Sequence, residues 1–151
     1  MNQDFLDLLR ELSAADARFL VVGAYAVSYH AEPRATADLD IWVEPTVENA
    51  SRVHRALTAF GAPLDELTER DLTTTDLVFQ IGVPPRRIDV LTAITGVTFA
   101  EAWPGRVEAR YGDARFPIIG REALVRNKKA LGRSRDLLDL ELLERHHPAD
   151  D

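Results

Sequence analysis

The hydrophobic positions of this 151-residue chain change period several times, from helical spacing to short apolar runs and back. Apolar residues recur every three or four positions near the N-terminus, which predicts a first helix over residues 3–15. A Val-rich run over 18–22, stopped by Gly23, predicts a buried strand. A short helix over 24–31 is expected to end before Pro33, because the residue preceding a proline is pushed out of helical geometry.

The rest of the chain continues as a mixed series. Residues 39–43 predict a second strand, and Thr46 is a plausible N-cap of a helix that stops at Gly61. The order of helices and strands is irregular, so it predicts a mixed α/β layer in a single domain and not a regular βαβ series. The remaining predicted elements are a helical turn near 64–67, strands over 76–83 and 87–91, a hairpin of 106–111 with 114–119 around Gly112-Asp113, and helices over 121–131 and 134–145, the last capped by Ser134.

Asp38 and Asp40 stand at the start of the second strand. Alternate side chains of a strand share a face, so the two carboxylates are expected to point the same way, about 6–7 Å apart. Two such carboxylates repel each other unless a cation lies between them, and hard oxygen ligands suit Mg²⁺. Chance supplies about one Asp-x-Asp pair in a chain of this composition, so two surface acids at a solvated strand end remain the alternative.

Asp89 is a candidate third acid. It lies between Ile88 and Val90, which are expected to face the core while Asp89 faces away. If this strand neighbours the one with Asp40, three carboxylates could hold two divalent ions about 3.5–4 Å apart, the spacing used in phosphoryl transfer. The alternative is a surface acid paired with Arg86 or Arg87.

Three residues before the acids could contact phosphate. Gly23, between a strand and a helix, would let the backbone approach an anion with helix N-terminal N–H groups aimed at it. Arg34 could bind phosphate bidentately and Thr36 could cap or orient the loop. An ordinary turn glycine and a solvent-exposed arginine are the alternatives.

Charge is distributed unevenly along the chain. The net charge of −7 argues against broad nonspecific binding of nucleic acid. Residues 121–135 nevertheless carry six basic side chains and one acid, which suits either a solvated helix face or a contact with polyphosphate. The chain has no Cys, which excludes disulfides and thiolate chemistry, and it has no apolar run long enough to span a membrane, so we expect a cytoplasmic protein.

Taken together, these residues resemble the minimal nucleotidyltransferases of the DNA polymerase β superfamily. The resemblance rests on an apolar strand followed by Gly23, on Arg-x-Thr-x-Asp-Leu-Asp-Ile-Trp-Val over 34–43, and on Ile-Asp-Val over 88–90. It covers residues 18–140 and is greatest to the AbiEii-like branch, some of whose members are toxins of toxin–antitoxin pairs. The chain departs from the pattern at Ala24, where the family has Gly or Ser, so no side-chain hydroxyl is available there for a phosphate.

The resemblance implies an α/β nucleotidyltransferase fold, with a small mixed sheet and helices packed mainly on one side. It also implies a role for each matching position. It makes Asp38, Asp40 and Asp89 the catalytic acids and the ligands of two Mg²⁺ ions, with Mn²⁺ as a substitute. The positions it places around an NTP such as ATP are Gly23, Ala24, Arg34, Thr36, Lys128 (or Lys129 instead), Arg133, Asp136 and Asp139.

The resemblance implies transfer of a nucleoside monophosphate from an NTP to an acceptor hydroxyl. The acceptor is left open among RNA, protein and a small molecule, as is the presence of a second subunit or a partner protein. Two other functions stay open. One is a nucleotide-binding or interaction module without turnover, such as one half of a toxin–antitoxin pair. The other is a structural domain with coincidental acids.

Overall fold

A six-stranded mixed sheet with helices is the architecture of the chain, as the sequence predicts. The computed structural model describes residues 1–33 and 38–146. The helices are α1 Gln3–Ala14, α2 Gly23–His30, α3 Val47–Phe60, α4 Phe99–Ala102, α5 Arg121–Leu131 and α6 Ser134–Arg145, and the strands are β1 Phe19–Val22, β2 Leu39–Val43, β3 Val78–Ile81, β4 Ile88–Leu91, β5 Val107–Tyr111 and β6 Ala114–Ile118.

The strands lie in the order β3-β4-β2-β1-β6-β5, so β1 and β2 are central and β3 and β5 form the edges. β1 pairs antiparallel with β2 and parallel with β6, and β2 pairs parallel with β4. Two antiparallel pairs, β3 with β4 and β5 with β6, complete the sheet. The strands that carry the predicted acids, β2 and β4, are therefore neighbours inside the sheet.

The core forms where the predicted apolar faces meet. All four residues of β1 are buried, as are Leu39, Ile41 and Val43 of β2. α1 buries its apolar stripe and contacts α3 and β6, while α2 contacts β1 and β2. Fixing the central strands in this core holds the side chains at their ends in a defined register.

Most helix ends follow the predicted signals. Thr46 caps α3 by accepting a hydrogen bond from the Asn49 N–H at 3.3 Å, and Gly61, in the left-handed conformation with φ +92°, ends the helix. Gly132 ends α5 in the same way with φ +62°. The predicted cap Ser134 is wrong, because the N-cap of α6 is Arg133, whose backbone N–H donates to Asp136 at 3.1 Å.

Other predicted boundaries also change. The strand predicted over 76–83 is shortened to β3, because positive φ angles at Asp76 and Gly82 interrupt the extended backbone on either side. The predicted turn at 64–67 forms, closed by a hydrogen bond from the Leu67 N–H to the Leu64 carbonyl at 3.2 Å, and a 3₁₀ helix that was not predicted follows at Asp71–Thr73. The short helix α4, which the sequence interpretation omitted, is followed by a second 3₁₀ helix at Trp103–Gly105. Among the described residues, no helix is both long enough and apolar enough to cross a membrane.

Candidate functional site

The register of the central strands brings two of the predicted acids side by side. Asp40 of β2 lies opposite Asp89 of β4 in the parallel pair, and on its other side it lies opposite Val22 of β1. Asp89 is buried, with 9% of its surface exposed. Buried carboxylates need compensating partners, so the surroundings of this pair decide what it can do.

Arg87 supplies part of that compensation. Its Nε donates to Asp89 Oδ1 at 2.8 Å and its Nη2 to Asp89 Oδ2 at 3.3 Å. The same Nη2 lies 3.5 Å from Asp38 Oδ2, and the Arg87 backbone N–H donates to Asp38 Oδ1 at 3.0 Å. Asp38 precedes β2 and is joined to Asp89 through this arginine. From the sequence, a pairing with Arg87 was expected only if Asp89 was a surface acid. In the structure Asp89 is buried and is paired with Arg87.

Asp40 is the acid with too little positive charge around it. Burial, the nearby charge of Asp89 and a hydrogen bond between the two carboxyl groups raise the pKa of Asp40 to about 6. The charge of Asp38 adds to this shift, and Arg87 opposes it only in part. A cation beside Asp40 would reverse the shift.

Gly23 holds the start of α2 against Asp40. Its φ of +67° lies in the region that favours glycine, and a Cβ atom at this position would overlap with Asp40 Oδ2. The N-terminus of α2, whose first N–H groups have no partner within the helix, is therefore placed directly beside the acids. The acids lie in a cleft, and the start of α2 forms one of its walls. Ala24, in the first turn of that helix, lines this cleft.

The opposite wall of the cleft comes from α5 and α6. Lys128 is buried, and its Nζ lies 3.3 Å from Asp136 Oδ1 and 3.1 Å from Asp139 Oδ2. Arg133 completes the cluster, with its Nε 2.6 Å from Asp136 Oδ2. These hydrogen bonds lower the pKa of Asp136 to about 2, with the Arg133 side chain as the largest cause. Lys128 is thus neutralised by two acids of this chain.

These walls enclose a cleft of about 650 Å³. The structure brings most of the predicted site residues together there, namely Gly23, Ala24, Asp38, Asp40, Asp89, Lys128, Arg133 and Asp139. Asp136 lies behind the wall with no exposed surface, and Lys129 is exposed elsewhere, on the surface that Arg126 also lines. Arg34 and Thr36 lie outside the described residues.

Two cleft residues were missed by the sequence interpretation. Arg135, at the second position of α6, lines the cleft, and its guanidinium makes no hydrogen bond or ion pair within residues 1–33 and 38–146. Asn127 donates to the Thr95 carbonyl at 2.9 Å and so ties the loop after β4 to α5. The run Gly-Arg-Ser-Arg over 132–135 signalled a basic helix start, but which of its arginines is left unpaired depends on the packing of α6 against α5.

The donor chemistry of the acids fits a divalent metal ion. Three carboxylates supply hard oxygen ligands, and burial together with the neighbouring acids raises the pKa of Asp40, an effect that a bound cation would oppose. Across the described part of the chain, however, no three His, Asp or Glu side chains already form a cluster that could hold a metal ion. The guanidinium of Arg87, bound to Asp89 and Asp38, stands among the required ligands.

The sequence matches no protein-family model and no curated protein. Its fold, in contrast, is similar to that of several solved structures. A lincomycin-bound lincosamide antibiotic adenylyltransferase, LnuA, is 12% identical with a TM-score of 0.60, covering 95% of this chain and 96% of the other.

Two further structures match over nearly the full length. The candidate nucleotidyltransferase TM1012 of Thermotoga maritima is 13% identical with a TM-score of 0.59 and covers 97% of both chains. The antibiotic-resistance factor ANT(2'')-Ia is 15% identical with a TM-score of 0.63, covering 99% of this chain and 88% of the other. The chain therefore has the nucleotidyltransferase fold.

Proposed function

We propose that the chain is a Mg²⁺-dependent nucleotidyltransferase, which moves a nucleoside monophosphate from an NTP to an acceptor hydroxyl. The observation that carries the proposal is the pairing of Asp40 with Asp89 beside the Gly23 turn, in a cleft faced by basic side chains. The fold shared with adenylyltransferases supports the same class of reaction, but fold alone does not fix the chemistry.

The proposed reaction is an exchange of bonds at the α-phosphorus. The acceptor oxygen bonds to this phosphorus, the bond from the phosphorus to the bridging oxygen breaks, and pyrophosphate leaves. The hydroxyl proton passes to a carboxylate of the site, for which Asp89 is the candidate base. When bound by Asp38, Asp40 and Asp89, two Mg²⁺ ions, or Mn²⁺ in their place, would stabilise the charge on the entering and leaving oxygens.

The triphosphate would lie between the two walls of the cleft. The N–H groups at the start of α2, at Gly23 and Ala24, face the phosphates from one side. The resemblance placed Lys128 beside the NTP, and Lys128 lies in the opposite wall but already makes two ion pairs. Arg135, which has no partner among the described residues, is the better candidate for direct contact with the phosphates.

Substituting Arg135 by Gln is expected to weaken the binding of an NTP or of inorganic tripolyphosphate by about tenfold, the loss of one charge-assisted contact. Binding of AMP, which lacks the β- and γ-phosphates, should change much less. Titration calorimetry in Mg²⁺ measures both. Lys129→Gln, which removes an exposed charge outside the cleft, is the matched control. Equal losses in the two variants would contradict a specific role for Arg135.

The acceptor is the finer part of the proposal. Two of the similar structures are named for antibiotic modification or resistance, which makes a small hydroxylated molecule one candidate. Membership of the AbiEii-like branch, with a role as the toxin of a toxin–antitoxin pair in the cytoplasm, would instead point to an RNA or protein acceptor. A second subunit or a partner protein could complete the acceptor side.

The decisive experiment is label transfer from α-³²P-labelled NTPs. Purified protein with Mg²⁺ should label one fraction of a cell extract (RNA, protein or small molecules) and release pyrophosphate. Asp40→Asn should reduce this labelling by at least about 100-fold, because a ligand of the metal ions is lost while the volume is kept. Asp113→Asn, an exposed acid of the β5–β6 turn, should label as the wild type does. Equal labelling by Asp40→Asn and by the wild type would contradict nucleotidyl transfer at this site.

A nucleotide-binding module without turnover is the second candidate function. It is favoured by the pairing of Arg87 with the acids and by Ala24, which offers no hydroxyl to a phosphate. Binding of an NTP with Mg²⁺, combined with no transfer to any extract fraction, would select this function.

A further inference from the structure

We propose that Arg87 is a resident counter-ion of the three acids, which competes with divalent metal and couples metal binding to nucleotide binding. The inference deepens the proposed function and rests on it. Arg87 acts on the ligands of the metal ion in the unloaded site, and on the phosphates once it has released Asp89.

The contacts of Arg87 are of two kinds. Its backbone N–H fixes Asp38 Oδ1 at 3.0 Å, and this contact depends only on the strand, not on the side chain. Its guanidinium holds both oxygens of Asp89, at 2.8 and 3.3 Å, and reaches Asp38 Oδ2 at 3.5 Å. The guanidinium can therefore leave while the backbone continues to orient Asp38.

The guanidinium and a metal ion exclude each other. A bidentate arginine uses lone pairs on both oxygens of Asp89, and a divalent ion on the same carboxylate would repel the positive charge. This competition explains why the described acids form no ready cluster of three metal ligands, although the register places Asp40 against Asp89. Loading of the site requires Arg87 to release Asp89.

The structure offers a destination for the released side chain. Arg87 is 30% exposed and lines the same cleft as Ala24 and Arg135, where the triphosphate would lie. Once turned away from Asp89, its guanidinium is available to the phosphates. Each ligand would then lower the cost of binding the other, which is a reciprocal coupling between metal and nucleotide.

Two substitutions at neighbouring positions separate this role from a general effect of charge. Arg87→Met removes the competing guanidinium and keeps a long side chain. Arg86→Met removes the same charge one residue earlier, from an exposed side chain outside the cleft. Arg87→Lys keeps the charge but cannot hold both oxygens in a bidentate pair.

Titration with Mn²⁺ by calorimetry, and by electron paramagnetic resonance of the free ion, tests the proposal. Without nucleotide, Arg87→Met is expected to bind Mn²⁺ about tenfold more tightly than the wild type. Arg87→Lys should also bind Mn²⁺ more tightly than the wild type, but by a smaller factor. Arg86→Met should change the affinity by less than about twofold. Addition of a non-hydrolysable ATP analogue should tighten Mn²⁺ binding to the wild type more than to Arg87→Met.

The outcomes discriminate between the two proposals. Equal or weaker Mn²⁺ binding by Arg87→Met, with the wild type still binding, overturns the role of Arg87 and leaves the nucleotidyltransferase proposal standing. Absence of Mn²⁺ binding in the wild type and in every variant overturns the metal site and the proposed function together. Thermal unfolding with and without Mn²⁺ reports whether each variant is folded, so a weak signal from an unfolded variant is recognised.

Discussion

Replacing Gly23 with alanine is expected to abolish divalent-metal binding and to lower the free energy of unfolding by about 2–5 kcal/mol. Two costs add. An alanine at φ +67° is strained by about 1–2 kcal/mol, and its Cβ would overlap with Asp40 Oδ2. The same Cβ would lie 3.0 Å from Asp40 Cγ and 3.2 Å from Asp40 Cβ, so rotation of the carboxyl group alone does not relieve the contact. Metal titration and urea unfolding measure the two effects.

Gly112→Ala is the matched control for this variant. Gly112 has φ +63°, nearly the angle of Gly23, but a Cβ there would meet nothing within 4 Å. Gly112→Ala should therefore lower the free energy of unfolding only by the cost of the backbone strain, about 1–2 kcal/mol, and should keep full metal affinity. If Gly23→Ala behaved like Gly112→Ala in both measurements, the close approach of α2 to Asp40 would have no functional role.

The second large effect is expected at Asp136, beneath the cleft wall. Asp136→Asn removes the charge that pairs with Arg133 and with buried Lys128, so the free energy of unfolding at pH 7 should fall by about 3–5 kcal/mol. Under conditions in which Asp136→Asn is folded, its metal affinity at the strand acids should equal that of the wild type, because Asp136 has no exposed surface and does not line the cleft. Urea unfolding at pH 7 gives the first quantity.

The same carboxylate sets a pH dependence. The folded pKa of Asp136 is lowered to about 2, below its ordinary value near 3.8. A lowered pKa contributes stability that is present above the unfolded pKa and is lost as the pH falls through the folded one. The wild type should thus lose this contribution between about pH 4 and 2, and Asp136→Asn should show a flatter decline over that interval.

Asp113→Asn provides the exposed counterpart of this buried pair. Asp113 accepts from Arg10 at 2.6 Å, the same distance as the contact of Arg133 with Asp136, but its side chain is 89% exposed. Its loss should lower the free energy of unfolding far less than Asp136→Asn does, since water and salt screen exposed pairs. Equal losses from Asp113→Asn and Asp136→Asn would show that burial adds nothing to the cluster.

The sequence predicted the acids better than it predicted their partners. Period-two spacing indicated that Asp40 and Asp89 each face away from their buried neighbours. In Leu39–Val43 Asp40 is indeed more exposed than Leu39 and Ile41, but in Ile88–Leu91 Asp89 is buried like Ile88 and Val90. Their direct pairing could only be stated as a condition, because strand order arises from contacts far apart in the chain. The contacts of Arg87 with Asp89 and Asp38 depend on that register, so they could not be predicted before the register was known.

Lys128 illustrates the second limit. Its place in a basic helix was correctly predicted, but its two carboxylate partners lie beyond the turn at Gly132. The way in which α6 folds back on α5 decides whether this lysine is free or neutralised. For α4, in contrast, the sequence carries a signal: Thr98 and Glu101 form a capping box, a pattern that predicts the start of a helix.

The parallel pairing of β2 with β4 also has a consequence for the time course of folding. The chain between Val43 and Ile88 must form a closed loop before Asp40 can lie opposite Asp89. The parallel pair of β1 with β6 joins strands that are still further apart along the chain. Loop closure costs entropy before the contacts repay it, so such topologies fold slowly compared with helical bundles. During synthesis on the ribosome, the acids are therefore apart until residue 91 has emerged, and the wall with Lys128 arrives last. Metal affinity should appear late in refolding, together with the completed sheet.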